Sequence, residues 1–153
     1  MNSQLTLAPI PFTDTMRILS IDYGKKRTGI AVTDPLQIIA NGLATVSTPQ
    51  LYQFLVDYMA KEPVERIVIG RPVQPNGRPS ENLARVEQFV ARWRKDRPDI
   101  PIEYVDERFT SVLAHRAMID GGLRKKARQD KALVDEISAT IILQSYMEGR
   151  GNS

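Results

Sequence analysis

The chain has 153 residues, enough for one domain with one sizeable core, and its 42% hydrophobic and 25% charged content is ordinary for a globular protein and favours neither a fibrous nor a disordered class. Lys and Arg number 21 against 18 Asp and Glu, giving a formal charge of +3 and a pI of about 9.3, a mild excess that suits a polyanionic partner without requiring one. Cysteine is absent, so disulfides, zinc-thiolate sites and thiol nucleophiles are ruled out. The apolar runs are too short to span a bilayer and no basic-then-apolar signal opens the chain, so a cytoplasmic protein without a membrane partner is expected.

Residues 1–15 are polar, contain Pro9 and Pro11 and show no sustained period, which predicts a flexible N-terminal extension ahead of a single domain over residues 16–150. Ile18 to Asp22 and Thr28 to Thr33 are short apolar runs separated by Gly24 and Lys25-Lys26-Arg27, a hairpin pattern. Ile38 to Thr48, broken by Asn41-Gly42, supplies a third strand. Pro49 opens a helix with Leu51, Phe54, Leu55 and Tyr58 at helical spacing, and Pro63 stops it. Arg66 to Gly70 is apolar enough to be buried on both faces, and a loop from Pro72 to Pro79 follows. Ser80 is the expected N-cap of a second helix whose buried stripe is Leu83, Val86, Phe89, Val90 and Trp93. Ile102 to Glu107 makes a fifth strand, Thr110 caps a third helix ending at Gly121-Gly122, and Asp130 begins a last helix running to about Gly149. Three strands followed by alternating helix and strand predict an α/β fold with a mixed five-stranded sheet, part hairpin and part parallel, with helices on its faces.

Sites in parallel sheets lie where the C-terminal ends of the strands point. Asp22 ends the first strand and Asp106-Glu107 ends the fifth. If those strands are parallel neighbours, their acids share one edge of the sheet. In the last helix, Val134, Ser138, Ile141, Ile142 and Ser145 lie on one arc, which includes Asp135 and leaves Glu136 on the polar side. Taken singly, each acid also fits a structural role: Asp22 in an Asx turn, Asp106 or Glu107 paired with Arg108, Asp135 within its helix. Taken jointly they form the hard oxygen donor set of a divalent-metal phosphodiesterase. A period of two places Asp106 and Glu107 on opposite faces, and the residues alone leave the choice between them open.

Ile21-Asp22-Tyr23-Gly24 with Thr28-Gly29-Ile30-Ala31, then Asp106 to Ser111, then Val134-Asp135 through Ile141 to Tyr146, resemble the YqgF family, also called RuvX, in the family's order from about Arg17 to Glu148. The resemblance implies an RNase H-like fold related to the Holliday junction resolvase RuvC. It implies Asp22, Glu107 and Asp135 as catalytic and metal-binding acids, with Asp106 as a fourth metal-binding candidate and Mg²⁺ or Mn²⁺ as cofactor. The implied role is a nuclease processing the 5′ end of precursor 16S rRNA in ribosome biogenesis, with ribosomal particles as further partners. On the older reading it resolves branched DNA in recombination. Arg71 departs from the family pattern, which more often has leucine between glycine and proline.

Lys25, Lys26 and Arg27 in the first turn, together with Arg71, Arg108, Arg124, Lys125, Lys126 and Arg128, are the candidate nucleic-acid contacts, each able to neutralise a phosphate without reading sequence. No aromatic run alternates with cations, so a stacking platform is not expected. His115, the single histidine, reads as a packing or surface residue. Two other classes remain open: an RNA-binding assembly module that does not cut, and an ATP-using protein with an Asp-x-Gly phosphate loop, against which the length of one domain counts. The protein is expected as a monomer or homodimer.

Overall fold

A computed structural model describes residues 16–72, 80–106 and 131–151. The N-terminal extension, the loop over 73–79, Glu107, the expected third helix with His115, and the basic run from Arg124 to Arg128 lie outside the described residues. The elements in chain order are β1 (Arg17–Tyr23), β2 (Arg27–Thr33), β3 (Ala40–Ser47), a 3-10 turn (Thr48–Gln50) continuing into α1 (Leu51–Met59), β4 (Val64–Arg71), α2 (Leu83–Asp96), β5 (Ile102–Asp106) and α3 (Lys131–Gly151). Among the described residues no helix is long and apolar enough to cross a membrane.

The five strands form one sheet in the order β3-β2-β1-β4-β5. β1 pairs antiparallel with β2 and parallel with β4, β2 pairs antiparallel with β3, and β4 pairs parallel with β5. The sheet is therefore mixed, as its sequence order predicts, but β1 and β5 are not neighbours. β4 lies between them, which separates β1 from β5 by two strand spacings, roughly 10 Å. Crossovers fix handedness and leave open whether a later strand adds beside β1 or beyond β4.

Helices cover both faces. On one, Leu19, Ile21, Ile67, Ile69 and Ile102 meet Leu51 and Leu55 of α1 and Val86, Phe89, Val90 and Trp93 of α2, the stripe predicted for that helix. On the other, Ile18, Ala31 and Val68 meet Ala139, Ile142 and Leu143 of α3. The centre of the sheet is sealed on both sides: Ile18, Leu19, Ser20, Ile21, Ile67, Val68 and Ile69 are all fully buried. Burying a Leu, Ile or Val side chain stabilises by about 1.5–3 kcal/mol, so apolar burial on both faces anchors these two strands.

Two boundaries differ from the sequence reading. β3 begins at Ala40 and not at Ile38, because the Asp34 carboxylate accepts the backbone N–H groups of Leu36, Ile38 and Ile39 at 3.1, 2.8 and 2.7 Å and holds this stretch as a loop. Leu36, Ile38 and Ile39 are consequently exposed. β3 then runs through Asn41-Gly42, and its irregularity falls at Leu43, the extra residue where Ile30 pairs Ala44 and Ala31 pairs Gly42. At the second helix Ser80 is not the cap: its N–H donates to Pro72 O and its carbonyl accepts from Leu83, so the helix starts at Leu83 with Asn82 in the cap position. The Asn82 amide instead donates to Tyr23 O at 2.6 Å, tying the entry of α2 to the end of β1.

Candidate active site

Side chains on a strand alternate between faces, so one known contact fixes the rest. Ser20 donates its hydroxyl to Ala139 O of α3 at 2.6 Å. Ile18, Ser20 and Asp22 therefore face α3, while Leu19, Ile21 and Tyr23 face α1 and α2. Asp22 is the Cα partner of Gly29, and residues opposite each other in an antiparallel ladder share a face. The backbone of α3 rests on Gly29: a Cβ built there would overlap the Asp135 carbonyl and approach the Asp135 Cβ. Glycine is required at this position for that close approach. Asp22 and Asp135 thus reach the same face of the sheet, at the C-terminal end of β1, from two elements packed over one glycine.

α3 crosses the sheet obliquely and is tied to each strand in turn. Thr45 of β3 donates to Ala132 O at 2.7 Å, Asp135 sits over Gly29 of β2, and Ala139 is held by Ser20 of β1. Further along, the Tyr146 hydroxyl donates to Glu103 of β5 at 2.9 Å and accepts from Arg66 of β4 at 3.0 Å. Arg66 also donates to Glu103 at 2.7 Å and Glu65 at 2.9 Å. Burial works against the Arg66 charge, but the bonds to Tyr146, Glu103 and Glu65 more than offset it and raise its pKa. The buried face of α3 is accordingly Ala139, Ile142 and Leu143, in phase with Asp135 and Tyr146. Of the arc expected from sequence, Ile142 lies on this face, whereas Val134, Ser138, Ile141 and Ser145 are turned from it. These four residues are only partly buried.

Arg27 donates from Nε to Asp135 Oδ2 at 3.0 Å, an ion pair with the two side chains 40% and 21% exposed. Arg27 and Gly29 lie two apart on β2 and share the α3 face, which directs the guanidinium to the helix. The turn before it is held from β3's end: Thr48 N–H donates to Lys26 O at 2.9 Å and its hydroxyl to Gly24 O at 2.6 Å. Lys25 and Lys26 stand exposed on this fixed turn. On the opposite face of β1, Tyr23 packs on Phe89 with ring centroids 5.6 Å apart, and burial raises its pKa against the opposing charge of Arg85.

Asp106 is the register partner of Arg71, in phase with Ile102 and Tyr104 on the α2 side, whereas Glu103 and Val105 face α3. Asp106 and Arg71 therefore sit on the face away from Asp22 and Asp135. Glu107 and Arg108 lie outside the described residues, as do Arg124, Lys125, Lys126 and Arg128. Among the described residues no three acids or histidines gather at metal-binding spacing. The carboxylates of Asp22 and Asp135, on one face, are nevertheless hard oxygen donors of the kind Mg²⁺ and Mn²⁺ take, so the chemistry of the residues present fits such an ion. Sequence reasoning missed the role of Gly29 and the pairing of Arg27 with Asp135. The only local signal for the first is the small-residue alternation Gly29-Ile30-Ala31. The second joins residues 108 apart and leaves no local trace.

The family model described as RuvX, Holliday junction resolvase, matches residues 16–149. The chain belongs to the RuvX family. Among its relatives, a protein of Phocaeicola vulgatus named "Putative pre-16S rRNA nuclease" is 69% identical over 134 residues, covering 88% of this chain and 96% of that protein. A relative of the same name from Bacteroides thetaiotaomicron is 64% identical over 134 residues, covering 88% and 97%. Among solved structures, Thermus thermophilus RuvC superposes with a TM-score of 0.55 at 14% identity, covering 90% of this chain and 97% of that one. T. thermophilus RuvC in complex with Holliday junction substrate gives a TM-score of 0.54 at 14% identity, covering 89% and 96%. At that identity the likeness is one of fold: this RuvX chain has the mixed five-stranded sheet that its element order predicts and the RuvC-like, RNase H-like fold that its family resemblance implies.

Proposed function

We propose that this RuvX protein is a divalent-metal-dependent nuclease that hydrolyses phosphodiester bonds in precursor 16S rRNA, with Asp22, Glu107 and Asp135 as its metal-binding acids. The single observation that carries the reading is the placement of Asp22 and Asp135 on one face over Gly29. A Mg²⁺ or Mn²⁺ ion held by these oxygens supplies Lewis-acid stabilisation of charge at the phosphodiester. The chain's own part is to hold the acids still and to bring the phosphate to them. Asp22 sits on the central strand, and Asp135 is fixed by the Ser20 bond one helical turn further on. Lys25 and Lys26, exposed on the turn that follows Asp22, neutralise neighbouring phosphates. Arg108, Arg124, Lys125, Lys126 and Arg128 are further phosphate contacts in the same reading.

Glu107 is preferred to Asp106 because the family resemblance favours it, and Asp106 shares the phase of Ile102 and Tyr104, away from α3. Precursor rRNA is preferred as substrate because relatives at 64–69% identity carry that name. Branched DNA is the second reading, favoured by the description of the family model.

The test is incubation of the purified protein with precursor 16S RNA and a four-way DNA junction in parallel, with Mg²⁺, Mn²⁺ or chelator, beside Asp22→Asn. Metal-dependent RNA cleavage that Asp22→Asn abolishes, with RNA affinity retained, supports the reading. Binding of the RNA without cleavage under any metal identifies an assembly factor, and cleavage confined to the junction identifies a resolvase.

A further inference from the structure

Arg27 is the one cation seen on Asp135 among the described residues, and its pairing bears on how the site loads. The pair is partly exposed, with Asp135 at 21% and Arg27 at 40%, so the ion pair is weak and exchangeable. Arg27 begins β2 directly after Lys25 and Lys26, so its side chain springs from the basic turn while its Nε reaches the helix. The turn itself is clamped by Thr48, so movement is confined to the side chain. A carboxylate that serves a dication cannot keep a guanidinium on the same oxygen lone pairs without sharing them, and two like charges beside one anion repel.

We propose that Arg27 is an exchangeable counter-ion of Asp135: it neutralises this carboxylate until a divalent cation takes its place, and the released guanidinium then binds a phosphate of the nucleic acid beside Lys25 and Lys26. The inference rests on the metal-binding reading of Asp22 and Asp135. It makes Arg27 a positioning residue for Asp135 in one state and a substrate contact in the other. Cation and nucleic acid are coupled through one side chain, so each raises affinity for the other.

The experiment is a calorimetric Mn²⁺ titration of the full chain and of Arg27→Ala, Arg27→Met, Lys26→Ala and Asp22→Asn. Thermal melting confirms folding of each variant. In parallel, a short fluorescein-labelled RNA is titrated in chelator and in Ca²⁺. Removing the counter-ion is expected to tighten Mn²⁺ binding by about three- to fivefold, the change that one partly exposed ion pair corresponds to. Lys26→Ala is expected to change it by less than half as much. Arg27→Ala is expected to weaken RNA binding in Ca²⁺ and to leave it nearly unchanged in chelator. Arg27→Met keeps the apolar stem and serves if Arg27→Ala unfolds. Unchanged or weaker Mn²⁺ binding in the Arg27 variants overturns the proposal, as does an equal gain in Lys26→Ala, which is a general field effect. If Asp22→Asn weakens Mn²⁺ binding while the Arg27 variants do not differ from wild type, only this proposal fails. If Asp22→Asn leaves Mn²⁺ binding unchanged, or the wild type binds none, the metal reading fails with it.

Discussion

Asp22 and Gly29 stand opposite each other in the β1–β2 ladder, and the Asp135 backbone occupies the space over Gly29 that a side chain would need. The candidate site therefore depends on an absence: the one Cβ whose presence would lift α3 from the sheet. Gly29→Ala forces the Asp135 carbonyl to move, and overpacking of this kind costs about 1–3 kcal/mol. Urea denaturation is expected to show that loss. Any folded fraction is expected to lose metal-dependent cleavage, because Asp135 is displaced with the helix backbone.

Tyr146 anchors the far end of α3 through Glu103 and Arg66. Tyr146→Phe removes both bonds and leaves the Arg66–Glu103 pair intact, for an expected cost of about 1 kcal/mol in a denaturant titration. Burial, and then the bond to Glu103, raise the Tyr146 pKa, so the folded state favours the neutral phenol. The sign follows from that: its contribution is complete below the unfolded tyrosine value of about 10 and is lost as pH rises through the folded one. The stability gap between wild type and Tyr146→Phe is expected to narrow above that pH. A gap that widens there contradicts the assignment.

Asp34 organises the β2–β3 loop by accepting three backbone N–H groups. The bond from Ile39 is the largest cause of a pKa held below the usual carboxylate range, with those from Ile38 and Leu36 adding to it. A depressed folded pKa contributes stability that is present above the unfolded value of about 4 and is lost as pH falls through the folded one. Asp34→Asn keeps an acceptor and removes the charge. It is expected to unfold at lower urea than wild type at pH 7, by a few tenths of a kcal/mol given the exposure of the site, and to converge with wild type in acid. Urea midpoints measured across pH check this.

Much of the architecture was legible because it rests on local pattern. The Ile18–Asp22 and Thr28–Thr33 runs around a glycine turn specify a hairpin, and the apolar residues of α2 fall on one stripe that is buried as written. The apolar Ile38 and Ile39 read as strand and are loop, because the Asp34 carboxylate, four and five residues earlier, takes the N–H groups a ladder would use. The interposition of β4 between β1 and β5 has no local signature, since strand order is settled by long-range packing. The inward turn of Asp135 was legible from helical phase, but of the arc around it only Ile142 is fully buried. The helix registers on small residues of β2, Gly29 and Ala31, that no pattern within α3 reveals. The Arg27–Asp135 pair, 108 residues apart, was out of reach for the same reason.

Asp22 and Asp135 face α3 and Asp106 faces away from it, so the proposed metal centre takes the first two and not the third. The most direct test is the rate of precursor 16S RNA cleavage in saturating Mn²⁺ by Asp22→Asn, Asp135→Asn and Asp106→Asn, each shown to be folded. The first two are expected to fall by about a hundredfold or more, the scale of losing an electrostatic group at a reacting centre, while Asp106→Asn stays within a few-fold of wild type. An Asp106→Asn protein as inactive as Asp22→Asn, beside an Asp135→Asn protein that still cleaves at the wild-type rate, would contradict it.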